Sequence, residues 1–255
     1  MMRYMNSGRY PGLVVLVVSL LLGACSTAPV EIGDPVDVPV FPADRVLDPD
    51  AEVQAAEIWD PLEGMNRSIY RFNYHFDRYV FLPGVAAYQY ITPDPVEKGL
   101  HNFFNNLGDF TTLINSILQL NLIKTMNSTT RIFINSTVGL LGFLDIASDV
   151  PKRQEDFGQT LGYWGVGNGP YLVLPILGPS NLRDGVGYGV DVTVRNALWD
   201  EAFDTETYQE WTRDILWSLD QRAHVNFRYY ETGSPFEYDM VRMLYTTKRK
   251  LDIER

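Results

Sequence analysis

Between Phe110 and Leu144 the chain runs 35 residues with only two charges, Lys124 and Arg131. A water-facing helix of that length would carry a charged outer face. This stretch instead carries uncharged polar groups, Asn115, Gln119, Asn121, Asn127 and Asn135 with several Ser and Thr, among large apolar residues. The pattern predicts a helical hairpin with one arm near Phe110 to Leu120, a polar turn around Lys124 to Ser128, and a return arm near Thr130 to Leu144. At ~1.5 Å per residue the arms measure about 16 and 22 Å, against a hydrocarbon core of about 30 Å. Such a hairpin enters one leaflet without spanning two. Composition alone leaves a second setting equally open, a buried hairpin in a soluble domain. Gly139 and Gly142, followed by Asp145, are hinge candidates where the return arm ends.

The stretch from Glu155 to Gly187 holds eight of the chain's 20 glycines, interleaved with Phe157, Tyr163, Trp164, Tyr171, Leu174 and Ile176. A flexible tether lacks such apolar residues. Dense glycine among aromatics indicates irregular backbone packed closely against an apolar neighbour.

The first residues set the compartment. Arg3 and Arg9 precede an apolar core from Leu13 to Leu22, which is closed by Leu22-Gly23-Ala24-Cys25. That core is shorter than the roughly 18 residues of a transmembrane helix and reads as a signal peptide, residues 1–24. Cys25, the only cysteine, follows small residues as in the bacterial lipoprotein signal, in which the cysteine receives a diacylglycerol and an N-acyl chain; an ordinary secretory signal with a chance cysteine is the alternative. A lone cysteine makes no internal disulfide, and multiple acyl chains anchor stably where one does not. Ser26 at the following position resembles signals sent to the outer membrane. Loss of the leader removes two arginines and no acids, moving the formal net charge from −11 to −13. A nucleic-acid partner is disfavoured, because phosphate contacts need a basic surface.

Residues 25–59 contain five prolines and eight acids against one base, Arg45, and read as an extended tether. Order is expected from Asp60, where Asp60-Pro61-Leu62-Glu63 supplies helix-start signals, and Leu62, Met65, Ile69, Phe72, Phe76 and Tyr79 form one apolar stripe that Pro83 ends. Arg67, Arg71 and Arg78 lie off that stripe, facing either lipid phosphates or water. A second start, Asp94-Pro95-Val96-Glu97, opens a helix carrying Val96, Leu100, Phe103, Phe104 and Leu107. Ser180 is placed to cap a helix running to about Leu198, in which Gly185 and Gly189 have the spacing of close helix contacts. Arg183-Asp184 beside them is a local ion pair or a headgroup-facing pair, the former favoured. Residues 201–255 read as charged amphipathic helices facing the periplasm. Trp199, Phe203, Tyr208, Trp211 and Trp217 suit either an interfacial belt or core packing.

Catalytic patterns are sparse. His75, His101 and His224 are far apart with no metal-ligand spacing, no Gly-x-Ser-x-Gly elbow occurs, and Glu155-Asp156 suits a turn better than an acid catalyst. The reading is no enzyme, no metal and no cofactor beyond the acyl chains on Cys25.

Six segments occur in order: Asp60-Pro-Leu-Glu-Gly-Met-Asn-Arg67, Asn102-Phe-Phe-Asn-Asn-Leu107, Arg131-Ile-Phe-Ile-Asn-Ser-Thr137, Glu155-Asp-Phe-Gly-Gln-Thr-Leu-Gly162, Gly169-Pro-Tyr-Leu-Val-Leu-Pro175 and Gly178-Pro-Ser-Asn-Leu-Arg-Asp184. Together they resemble the MlaA (VacJ) family of outer-membrane lipoproteins. The resemblance spans about Asp60 to Asp200 and is weaker after Trp199. It implies an all-α, ring-like monotopic body over residues 60–200, held in the inner leaflet of the outer membrane beside trimeric porins, with a central amphipathic channel. Phospholipids misplaced in the outer leaflet would pass through that channel to a soluble periplasmic MlaC-like carrier, with an inner-membrane ABC-type complex downstream. Lipid asymmetry would be maintained in this way. Arg131, Asn135 and Arg183 are candidate lipid-path contacts by position and chemistry, with Gly139 and Gly142 as the gate. The competing classes are a tethered lipid-modifying enzyme and a lipoprotein linking membrane to wall.

Overall fold

The structure, a computed structural model, describes residues 58–203 and 207–254. The expected leader, the lipidation site Cys25 and nearly all of the tether lie outside the described residues. Helix α1 (Glu63–Phe76) continues through a five-residue π turn (Asp77–Phe81) into α2 (Leu82–Ile91). Pro83, expected to end the first helix, instead sits in the opening turn of α2, where a missing N–H costs nothing. Helix α3 (Asp94–Leu118) is one continuous element of 25 residues, merging the second amphipathic segment with the first hairpin arm. Helix α4 (Leu122–Thr137) returns beside it. The connecting turn lies ahead of the expected Lys124 to Ser128, because the Asn121 side chain accepts from the Lys124 amide at 3.1 Å and starts α4 there. Leu120 takes φ 56° to make that turn.

A short α5 (Phe157–Tyr163) precedes a two-stranded antiparallel hairpin, β1 (Tyr171–Leu174) and β2 (Gly178–Asn181), with Tyr171 opposite Asn181 and Leu174 opposite Gly178. Helices α6 (Leu182–Phe203), α7 (Thr207–Ala223) and α8 (Glu237–Glu254) complete the chain. The fold is all-helical apart from that hairpin. Asn181, not Ser180, supplies the side-chain oxygen for the first turn of α6, accepting from the Asp184 amide at 2.8 Å.

The free edge of β1 would leave backbone groups unpaired. Two asparagines on α1, two helical turns apart, fill that edge. Asn66 donates to the Tyr171 carbonyl at 3.0 Å and accepts from the Val173 amide at 2.9 Å. Asn73 donates to the Leu174 carbonyl at 2.9 Å and accepts from the Ile176 amide at 2.7 Å. A carboxamide reproduces the donor and acceptor of a peptide group, so the helix behaves as a third strand. Asp60, read as a helix start, serves instead as a shared acceptor for Asn66 at 2.7 Å, the Tyr238 hydroxyl at 2.5 Å and Arg242 at 3.1 Å. These bonds tie α8 to the beginning of the body. Tyr70 closes the same region, with edge-on contacts to Tyr229, Tyr230 and Tyr238 and its hydroxyl donating to Glu237 at 2.8 Å.

The interior is polar. Among the described residues 29 polar or charged side chains are buried against 11 apolar or aromatic ones, six of these tyrosines. The large apolar groups lie outside. On α1 the buried face is Asn66, Tyr70, Asn73 and Tyr74, while Met65 and Phe72 from the predicted apolar stripe are exposed. On α4 the buried stripe is Lys124, Ser128, Arg131 and Asn135, while Leu122, Ile123, Met126 and Phe133 are 67 to 77% exposed. This is the reverse of a water-soluble bundle, in which the apolar stripe faces the core. No helix among the described residues is long and apolar enough to cross a membrane.

Candidate functional site

Polar faces turned inward leave a cavity of about 830 Å³. It lies between α1 (Asn73, Phe76) and the π turn after it (Asp77), α3 (Phe104, Gly108, Thr111), the tip of the β hairpin (Ile176, Leu177), α6 (Tyr188, Asp191, Arg195) and α7 (Trp217, Arg222), with Lys152 and Asp156 from the approach to α5. The size falls within the ~300–1,000 Å³ range of sites for organic ligands. Aromatic and aliphatic walls alternate with charges of both signs, so the lining is amphipathic.

The charges differ in how tightly they are held. Arg222 is fixed on Asp77 by two bonds of 2.6 and 2.8 Å. Asp156 caps α5 through the Gln159 amide at 2.8 Å and takes both ends of the Arg249 guanidinium at 2.6 and 2.8 Å. Burial acts to raise its pKa, but Arg249 and the Gln159 bonds outweigh it and hold the carboxyl below the ordinary value. Asp191 shifts upward, because burial outweighs its bonds from the Phe157 amide and Asn115. Lys152 is pushed down by burial despite Asp109 at 3.7 Å, and donates to Asn105 at 2.9 Å. Arg195 is held by a hydrogen bond with Tyr188 and by the more distant charge of Asp214. It stacks over the Trp217 ring at 4.4 Å, burial lowers its pKa, and its Nε makes no hydrogen bond among the described residues.

The residues singled out in the sequence lie behind these walls. Arg131 and Asn135 meet on Asp145, with bonds of 3.1 and 2.9 Å, and Arg131 also donates to Asp109, to the Ala147 carbonyl at 2.8 Å and to the Val150 carbonyl. Arg183 forms the local pair with Asp184 at 2.8 Å, and Asp184 in turn accepts from Asn181, Tyr245 and Arg249. Neither Arg131 nor Asn135 lines the cavity, and Arg183 is likewise outside its lining. Gly139 and Gly142 lie in the turns after α4, where Leu140, Leu141 and Gly142 take left-handed φ values of 53°, 60° and 97° in succession. A Cβ on Gly142 would stand 2.6 Å from the Asn106 Cβ. Close helix approach comes from Gly158 and Gly187, not from Gly185 and Gly189: a Cβ on Gly187 would meet the Gly158 nitrogen at 2.3 Å, whereas Gly189 has nothing within 4 Å.

Sequence reasoning missed Lys152, Asp191 and Arg195. Their convergence is long-range and leaves no local spacing to read. It also kept the histidines apart, whereas the fold stacks His101 on His224 with ring centroids 3.7 Å apart, beside Asp220. The one local signal was Asp220 and His224, four apart across the C-terminal end of α7.

Comparison with known proteins agrees with this architecture. A protein of Shigella flexneri named intermembrane phospholipid transport system lipoprotein MlaA is 40% identical over 146 residues, covering 55% of this chain and 58% of the relative. The protein of that name from Escherichia coli K12 is 42% identical over 134 residues, 50% of this chain and 53% of the relative, and a protein of Rickettsia prowazekii is 42% identical over 130 residues, 50% and 52%. The chain thus spans little more than half the length of these curated relatives. A solved structure described as the structural basis for maintenance of bacterial outer membrane lipid asymmetry superposes with a TM-score of 0.61 at 28% identity, over 76% of this chain and 98% of that one. The family model for the MlaA lipoprotein matches residues 58–252, which takes in both C-terminal helices, where the sequence motifs had faded. The chain belongs to the MlaA lipoprotein family.

Proposed function

We propose that the chain is an outer-membrane lipoprotein giving phospholipids misplaced in the outer leaflet a path back towards the periplasm, without catalysing a reaction. The observation that carries this reading is the inversion: an apolar exterior surrounding a cavity of about 830 Å³ lined by both charged and aromatic side chains. A headgroup needs a polar path, because a polar group without partners costs several kcal/mol in an apolar medium. Acyl tails need only apolar surroundings. Lys152 and Arg195 supply the headgroup contacts, since burial without a tight carboxylate partner leaves each able to gain from a phosphate. Arg131, Asn135 and Arg183 act on the path from behind, holding its walls, and the segment carrying Gly139 and Gly142 gates it. Acyl chains on Cys25 and the tether hold the body on the periplasmic side of the membrane, beside trimeric porins. A soluble MlaC-like carrier, feeding an inner-membrane ABC-type complex, gives direction by removing lipid.

Gly108→Trp tests the path. Gly108 lines the cavity from α3, and a Cβ there meets nothing within 4 Å, so the indole enters open space without displacing the fold. In cells lacking their own copy, the wild-type chain should lower phosphatidylethanolamine labelling by an amine reagent that does not cross the outer membrane. The variant, present at equal level, should leave labelling high. Equal labelling with both chains would sink the conduit reading.

A further inference from the structure

We infer that His101, Asp220 and His224 form a binding site for one divalent transition-metal ion, which joins α3 to α7. The three side chains offer ligand atoms within 4.8 Å of one another. His101 Nδ1 lies 2.9 Å from Asp220 Oδ2, and His224 Nδ1 lies 2.8 Å from the Asp220 carbonyl oxygen and 3.7 Å from Asp220 Oδ1. Two imidazoles and a carboxylate are a donor set suited to zinc, with a fourth position left to water.

A second observation points the same way. Asp220 is 0% exposed, yet its Oδ1 accepts no hydrogen bond among the described residues. No lysine or arginine among them pairs with Asp220, only the two imidazoles. The buried Tyr88 hydroxyl on α2 is also without a hydrogen-bond partner among the described residues. Buried carboxylate oxygens are normally satisfied by donors or by a metal. A cation against Oδ1 answers that lone pair.

The geometry needs little adjustment. Metal–ligand bonds of about 2.0–2.2 Å place tetrahedral ligands roughly 3.3–3.5 Å apart, so the observed spread closes by little more than an ångström. The side chains of His101 and His224 are 27% and 40% exposed, which gives an ion access and the rings room to turn. The site lies along the same α3–α7 seam as Phe104 stacked on Trp217, two residues that line the cavity. A bound ion therefore fixes that wall.

The test uses the mature full chain in detergent, prepared without a histidine tag, stripped with a chelator and titrated with Zn2+ alone. One equivalent should bind, the thermal midpoint should rise with Zn2+, and a Co2+ complex should show the visible absorption of a tetrahedral site. His101→Ala and His224→Ala should each weaken binding tenfold or more and abolish the rise in midpoint on adding Zn2+, each variant being compared with its own metal-free midpoint, which loss of a partner of Asp220 lowers. His75→Ala, at the histidine on α1, should bind as the wild type does. If His101→Ala unfolds, His224→Asn at the more exposed ring carries the test. No bound equivalent in the wild type, or wild-type affinity after loss of either His101 or His224, overturns the site.

Discussion

Lys124→Met exposes the logic of the inverted core. Lys124 Nζ lies 2.7 Å from Glu155 Oε1, with the two side chains only 6% and 4% exposed, and Gln119 donates to the other carboxylate oxygen at 3.0 Å. At an effective dielectric of about 20, charges 2.7 Å apart attract by about 6 kcal/mol. Desolvation of the two ions costs several kcal/mol each, so the pair as a whole is close to neutral. Removing one partner leaves Glu155 buried and uncompensated, which costs about 3–5 kcal/mol. At ~2–4 °C per kcal/mol for a body of this size, the thermal midpoint in detergent should fall by about 6–20 °C. The double variant Lys124→Met, Glu155→Gln should regain most of that loss, because no charge then remains and Gln119 keeps an acceptor. The coupling between the two sites should therefore exceed about 2 kcal/mol in a double-mutant cycle. A single-variant loss below about 1 kcal/mol, or a double variant as unstable as Lys124→Met, would refute the claim that this pair is a closed unit inside the body.

Three further perturbations follow from the same geometry. Arg249→Met leaves Asp156 and Asp184 without their shared guanidinium and should cost about 3–5 kcal/mol at pH 7. Both carboxyls are held below the ordinary value, so in the wild type the unfolded state takes up protons first and stability falls as pH drops below about 3.9; thermal midpoints measured against pH should show that slope flattened in the variant. Gly142→Leu demands φ 97° of a branched residue and puts a Cβ 2.6 Å from Asn106, so the turns after α4 must shift and outer-leaflet phospholipid in cells should change; an unchanged level with folded protein removes Gly142 from the gate. Ile123→Lys with Phe133→Lys places two charges on the exposed apolar face of α4, where each costs up to roughly 2.5–3.5 kcal/mol in hydrocarbon, and vesicle binding of the unlipidated chain should drop at least tenfold.

Local patterns in the sequence marked the helices and the low-charge hairpin, because composition and periodicity act within one element. Two of the motif segments meet in the fold, which their order along the chain did not announce: Asn66, in the segment Asp60 to Arg67, bonds Tyr171 and Val173, in the segment Gly169 to Pro175. What they could not mark depends on two distant segments at once. The strand pair forms over only four residues on each side, and its outer edge is completed by asparagines about a hundred positions away. The turn of the hairpin was misplaced because Lys124 reads as a solvent-facing charge, whereas burial beside Glu155 puts it inside a helix. The cavity cations Lys152 and Arg195 sit in segments with ordinary composition. His101 and His224 meet only because α7 packs against α3.

Periodicity finds a stripe but not the side on which it faces. The apolar residues of α1 and α4 repeat as they would in a soluble bundle, and only the fold reveals that they point outward. Once they do, the polar stripe faces inward and each of its members must be answered by another group, since an unpaired buried charge is expensive. The two charges that interrupt the run from Phe110 to Leu144 meet that demand: Lys124 pairs with Glu155, and Arg131 with Asp109 and Asp145. All three acids lie outside the run. Lys124 and Arg131 are therefore the points at which the apolar hairpin is fastened to the body, and the low charge of the rest of the stretch is what leaves its exposed face apolar.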